Sequence, residues 1–183
     1  MFEEKLIVRN DNRDELFSEL KKRRPHIVGI DGEDGAGKTT TIAPLIQELL
    51  GGTVLSLDNY LEKDCGGYIG HLHYDTLGQD LLDLVKKPEL IIIEGVMLLD
   101  VLEKMEVNQD YLVYACSNMW LDDWTGEYGN HYERKTLEEI ITHEESTVKL
   151  INAGYQMKGM RKEIYAYTYN QKPFSKADTI WIS

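Results

Sequence analysis

Ile27-Val28-Gly29-Ile30-Asp31-Gly32-Glu33-Asp34-Gly35-Ala36-Gly37-Lys38-Thr39-Thr40 is the stretch that decides the fold. A short apolar run, His26 to Ile30, ends at a glycine, and Gly32 to Thr39 satisfies G-x-x-x-x-G-K-[ST] at every fixed position. Beyond it Ile42, Leu45, Ile46, Leu49 and Leu50 recur at helical spacing, so the order is strand, glycine loop, helix. Glycines let a backbone wrap an anion with its N–H groups pointing inward, and the following helix turns its positive end to the same anion. Lys38 adds a cation for β- and γ-phosphate oxygens, Thr39 offers a hydroxyl to Mg²⁺, and Thr40 is placed to reach an α-phosphate. Gly32, Glu33, Asp34, Gly35, Ala36, Gly37, Lys38, Thr39 and Thr40 are thus the expected cradle of a nucleoside triphosphate, ATP with Mg²⁺. Pro44, in the second turn of the helix, is expected to remove a backbone hydrogen bond and bend the axis.

Upstream, Asp11 to Arg24 has Leu16, Phe17 and Leu20 on one face and stops at Pro25, so residues 1–25 read as an N-terminal helical extension. Downstream, Gly51-Gly52 ends the helix, Thr53 to Leu57 reads as a strand, and Asp58-Asn59-Tyr60 opens a long loop containing Gly66, Gly67 and Gly70. Leu77 to Lys87 is helical, and Leu90-Ile91-Ile92-Ile93 is a continuous apolar strand of the kind buried on both faces. Tyr111 to Ala115 and Thr179 to Ile182 read as strands, Thr136 to Ala153 and Lys158 to Tyr169 as helices. Alternating strands and helices predict a single α/β domain over residues 1–183. Its mostly parallel five-stranded sheet is the middle of three layers, with helices on both faces.

The 183 residues are 42% hydrophobic and carry a formal net charge of −12, with a sequence pI near 4.8. That balance repels polyanions, so nucleic acid and anionic membrane surfaces are excluded as partners and a small-molecule substrate is expected. Cys65 and Cys116 lie far apart with no C-x-x-C spacing, which fits a reducing compartment and ordinary packing roles. Met1 to Arg9 lacks the apolar stretch of a signal peptide, and no run of about 18 apolar residues spans a bilayer. The expected location is cytoplasmic, and a homo-oligomer is compatible with the sequence.

In an open α/β sheet ligands lie beyond the carboxyl ends of the strands, and both Asp58 and Glu94 follow strands directly. Glu94 reads as the Walker-B-like acid that holds Mg²⁺, against a plain strand-end acid. Asp58 reads as a base for an attacking hydroxyl, against a turn cap. His71, His73 and Asp75 crowd the next helix start; zinc is one reading, and a helix cap near Thr76 is the simpler one for Asp75. A guanine-reading N-K-x-D is absent, Cys116-Ser117-Asn118-Met119 being the nearest stretch, and so is L-S-G-G-Q.

Ile27-Val28-Gly29-Ile30-Asp31-Gly32 leading into Gly35 to Thr40, then Leu57-Asp58-Asn59-Tyr60, then Ile93-Glu94-Gly95-Val96, resembles the uridine kinase-like branch of the P-loop kinases. The resemblance covers roughly residues 26 to 100. It implies the P-loop NTPase fold with a small helical lid, here about residues 119–170 including the C-terminal helices. The aspartate matching Asp58 is that family's base. His73-Tyr74-Asp75-Thr76-Leu77 resembles the segment that binds the acceptor's sugar, so Asp58, Tyr60, His73 and Asp75 are the expected acceptor residues. Pro173 with Lys176-Ala177-Asp178 resembles the segment before the family's last strand. Departures are equally specific. Lys86-Lys87-Pro88-Glu89 stands where uridine kinases insert a base-holding hairpin, and Leu121 to Glu127 is acidic and aromatic where the family's lid carries arginines. Arg134, and more distantly Arg161, are the arginines left for the transferring phosphoryl group. Trp120, Trp124, Tyr128 and Tyr132 offer aromatic faces for a base or for packing. The expected activity is transfer of the γ-phosphoryl of Mg·ATP to a hydroxyl of a nucleoside, sugar or similar molecule. A nucleotide-binding module without transfer and a nucleoside monophosphate kinase are the alternatives.

Overall fold

The computed structural model describes residues 5–62, 67–116, 136, 138, 139, 142 and 159–183. β2 (Ile27–Gly32) is buried along its whole length because it lies inside a sheet that is covered on both faces. Successive side chains of a strand go to opposite faces. Val28 and Ile30 pack against α1 (Asp14–Arg23) and α2 (Ala43–Leu50), in a core that holds Leu16, Phe17, Leu20, Ala43 and Ile46. Ile27 joins the opposite core, with Leu77 and Leu81 of α3 (Tyr74–Val85) and Leu98, Val101 and Leu102 of α4 (Leu98–Lys104). The middle strands are therefore fixed by burial from two sides, each fully buried Val or Ile contributing about 1.5–3 kcal/mol.

The other strands are β1 (Leu6–Arg9), β3 (Thr53–Ser56), β4 (Ile91–Glu94), β5 (Tyr111–Cys116) and β6 (Thr179–Ile182). They stand in the order β1-β6-β5-β2-β4-β3, and every pairing is parallel. Among the described residues the sheet has six strands where five were expected. The addition is β1, inside the segment read as a helical extension, with Leu6 beside Thr179 and Arg9 beside Ile182. As an edge strand it buries only Val8 and leaves Ile7 exposed, so its sequence shows little of the apolar run that marks the central strands. Lys5 ties the same segment down, donating to the carbonyls of Phe174, Ser175 and Ala177 at the end of α6 (Pro173–Lys176).

Pro44 acts differently from a simple bend. Lys38–Ile42 forms a π-helical turn, in which the Ile42 N–H reaches back to the Gly37 carbonyl at 3.0 Å, and α2 then begins at Ala43 with Pro44 in its first turn. A proline in mid-helix lacks an N–H and crowds the carbonyl four residues back; at a helix start neither matters. α4 was not foreseen either. Cys116 is buried in β5 and burial pushes its thiol up to about 12, as suits a packing residue, while Cys65 lies outside the described residues.

Thr136 and Glu139 exchange hydrogen bonds in the manner of a capping box, the Thr136 N–H donating to Glu139 Oε2 at 2.8 Å and the Glu139 N–H to Thr136 Oγ1 at 3.3 Å. That is the expected start of the helix read from Thr136. Most of the expected lid, with Arg134, Trp120, Trp124, Tyr128 and Tyr132, lies outside the described residues. Among the described residues no helix is long and apolar enough to cross a membrane.

Candidate functional site

The loop leaving β2 turns on glycines held at positive φ, 137° at Gly32, 76° at Gly35 and 77° at Gly37. At Gly32 a Cβ would lie 2.0 Å from the Ala115 carbonyl oxygen of β5, so the loop leaves the sheet through a gap only glycine fits. At Gly35 a Cβ would meet nothing within 4 Å, and the requirement there is purely conformational. Lys38 curls back over the loop, its Nζ donating to the carbonyls of Gly32 at 3.0 Å and Glu33 at 2.6 Å. Burial pushes the Lys38 pKa down, against the upward pull of Asp31, Glu94, Asp34 and Asp58 in that order. One buried cation thus sits among four carboxylates.

Thr39 and Glu94 face each other. The Thr39 hydroxyl lies 3.1 Å from both carboxylate oxygens of Glu94. Register explains the meeting: Glu94 is the last residue of β4, paired with Ile30 on one side and Ser56 on the other, so its side chain stands at the carboxyl rim beside the loop. Glu94 is buried, and the turn after it is packed so closely that a Cβ on Gly95 would sit 2.7 Å from the Leu57 side chain. A hydroxyl and a carboxylate beside a phosphate cradle make an all-oxygen donor set, which fits Mg²⁺. His71, His73 and Asp75 make no such set, since among the described residues no three His, Cys, Asp or Glu side chains converge on a metal position. His71 Nδ1 instead lies 3.8 Å from Glu62.

Asp58 projects from a 3₁₀ turn, Leu57–Tyr60, that continues β3, and it is exposed. Its Oδ1 accepts the hydroxyl of Tyr68 at 3.0 Å. Tyr68 is 1% exposed, and burial, followed by the neighbouring Asp58 charge, pushes its phenol far up, so it remains a donor. Leu61 pairs with Leu72 across the loop, and the His73 N–H donates to the Tyr60 carbonyl at 2.8 Å, which sets His73 alongside Tyr60. The Tyr60 hydroxyl donates to Asp80 at 2.7 Å. α3 starts at Tyr74 with His73 at its cap, so Asp75 lies inside the first turn, exposed, rather than capping. Arg161 lies in α5 (Gly159–Gln171), but its side chain is outside the described residues, as is all of Arg134.

Three residues beside the site carry no motif. Asp31, wholly buried, accepts the N–H groups of Gly32 at 2.8 Å and Leu98 at 3.4 Å through Oδ1, and the Tyr167 hydroxyl of α5 through Oδ2. Burial pushes the Asp31 carboxyl up to about 6, opposed by those three hydrogen bonds, with the Tyr167 hydroxyl foremost. A cavity of about 130 Å³ opens next to this pair, between the loop residues Gly32 to Asp34, Met97, Tyr114 and α5. An acid closing an otherwise apolar strand was the signal available for Asp31; Tyr68 and Tyr167 gave none.

A glycine loop leaving the central strand of a covered parallel sheet, with a threonine against a strand-end acid, defines the P-loop type of three-layer α/β fold. Within that class, the chain matches the solved structure of a possible uridine kinase from Bacillus stearothermophilus, with a TM-score of 0.53, over 93% of this chain and 99% of that one. Sequence identity is 17%, so the likeness is one of fold. No family model matches the chain, and no curated protein matches it in sequence.

Proposed function

We propose that this chain is a small-molecule kinase that moves the γ-phosphoryl group of ATP to an alcohol hydroxyl. The observation that carries the reading is the Thr39–Glu94 pair beside Lys38, with Asp58 close enough to act on the Lys38 charge. A switch or motor needs the loop and its metal; a base-capable carboxylate exposed beside them favours transfer to a hydroxyl.

Loop N–H groups and the helix end behind them bind the phosphates, and Lys38 leaves the Gly32 and Glu33 carbonyls to neutralise the β- and γ-oxygens. Thr39 and Glu94 would hold Mg²⁺, which would supply charge neutralisation across the phosphates. Tyr68 fixes one oxygen of Asp58, and the other takes the proton of the acceptor hydroxyl. The freed oxygen forms a bond to the γ-phosphorus as the bond to the β–γ bridging oxygen breaks, leaving ADP and a phosphate ester. Tyr60, His73 and Asp75 are the residues this reading assigns to the acceptor, and Arg134 is the one it assigns to the transferred group. Nucleosides and sugars are the acceptor classes this reading names.

A nucleotide-binding module without transfer is the second reading, favoured by the acidic stretch Leu121 to Glu127 where kinases of the resembled branch carry lid arginines. A panel of nucleosides, nucleoside monophosphates and sugar alcohols, assayed for ADP release, separates these readings. In the kinase reading Asp58→Ala lowers the turnover by about 10²–10⁴-fold and leaves ATP affinity unchanged. Wild-type turnover in that variant refutes the base, and ATP binding with no acceptor turned over supports the module.

A further inference from the structure

α5 carries Glu163, Tyr167 and Gln171 four residues apart, hence on one face, and each side chain is bonded to a different part of the molecule. Glu163 Oε2 accepts the N–H groups of Tyr68 at 2.8 Å and Ile69 at 3.3 Å, in the loop that holds Asp58. Tyr167 donates to Asp31 at the foot of the phosphate loop and accepts the Leu99 N–H at 3.4 Å. Gln171 donates to Asp100 at 2.7 Å and Glu103 at 2.6 Å, which anchors the helix on α4.

The bonds of Glu163 and Tyr167 lead on to site groups. Tyr68, gripped through its backbone by Glu163, gives its hydroxyl to Asp58. Asp31, gripped by Tyr167, takes the N–H of Gly32, whose carbonyl receives Lys38. The path from Lys38 to Asp58 therefore runs through hydrogen bonds and one turn of α5.

We propose that α5 is a strap that positions the phosphate loop and the Asp58 loop relative to each other, with Tyr167 and Glu163 as positioning residues. The inference rests on the kinase reading for the roles of the two loops, while the connection itself is testable without turnover. Tyr167 shares with Gln171 the task of holding the helix from which Glu163 reaches, so loosening Tyr167 loosens the grip of Glu163.

Amide hydrogen exchange at Tyr68 and Ile69 in the full chain tests this. In Glu163→Ala both amides exchange faster, and Glu163→Gln, which keeps an accepting oxygen, restores the wild-type rate. In Tyr167→Phe, one turn away and touching neither amide, both exchange at least about fivefold faster, since the change removes the bonds to Asp31 and from Leu99 and even one such bond is worth about 1 kcal/mol. Unchanged rates in Tyr167→Phe overturn the strap, as does a Glu163→Gln that behaves like Glu163→Ala. If Tyr167→Phe fails to fold because it strands the Asp31 charge, Asp31→Asn with Tyr167→Phe removes that charge and the same comparison decides. Adding Mg·ATP to the wild type slows exchange at both amides, and Tyr167→Phe binds the nucleotide but loses the slowing; slowing that persists overturns the strap. Wild-type protein that binds no Mg·ATP refutes the kinase reading instead, and the nucleotide-free comparison still decides the strap.

Discussion

Replacing Asp31 by Asn should change the pH dependence of stability more than it changes the fold. The carboxyl is wholly buried and its pKa stands at about 6, against 3.8 for an ordinary aspartate. Each pKa unit is worth 1.36 kcal/mol, so ionised Asp31 costs the native state about 3 kcal/mol relative to its protonated form. The sign follows from linkage. A raised carboxyl pKa means that the native state holds a proton the unfolded chain has released, so this contribution is fully present below about pH 4 and is lost as pH rises through about 6. An asparagine keeps an oxygen for the Gly32 and Leu98 N–H groups and offers an amide to the Tyr167 oxygen, with no charge to desolvate. Urea unfolding of both proteins at intervals from pH 4 to pH 7.5 gives the difference directly, because the other carboxylates cancel. Asp31→Asn should gain on wild type by about 2.4 kcal/mol across that range, about 2 kcal/mol of it between pH 4 and pH 6. Parallel stability curves would refute the reasoning, since they would mean that Asp31 ionises in the folded protein as easily as in the unfolded one.

Gly32→Ala should destabilise by more than about 3 kcal/mol, because the new methyl collides with the backbone of β5 at a φ that L residues avoid, whereas Gly35→Ala should cost only about 1–2 kcal/mol. Thermal melts of the two variants side by side check the contrast. Lys38→Met should weaken Mg·ATP binding by about 10- to 100-fold, the range set by a lost hydrogen bond to a charged group, with little change in melting temperature; calorimetric titration measures it.

Legibility from sequence tracked how each element is held. β2 and β4 were plain because strands buried on both faces need an unbroken apolar run, and the loop between sheet and helix was plain because its glycines answer to backbone geometry. β1 escaped notice since an edge strand with one buried residue needs no such run. α4 was hidden in Val96 to Leu102, where nearly every position is apolar and no helical period stands out; Met97, at φ 54°, starts it without a glycine or a cap residue. The π-helical turn, in which Ile42 bonds back to Gly37, has no hydrophobic period of its own to announce it. Around the site, Glu94 and Asp58 were readable because they follow strands, and the structure sets Glu94 against Thr39. Tyr68 and Tyr167 matter only through partners, and the bond from Tyr167 to Asp31 spans 136 residues, a separation no spacing rule reaches.

The pairing of β1 with β6 bears on the order of assembly. Leu6 finds its neighbour at Thr179, a contact of nearly the greatest sequence separation among the described residues. Pairings of that kind pay their loop-closure entropy last, and synthesis delivers the two strands at opposite times. β1 is thus made well before β6, its partner, and until the two join the outer edge of β6 stands open to any other extended chain.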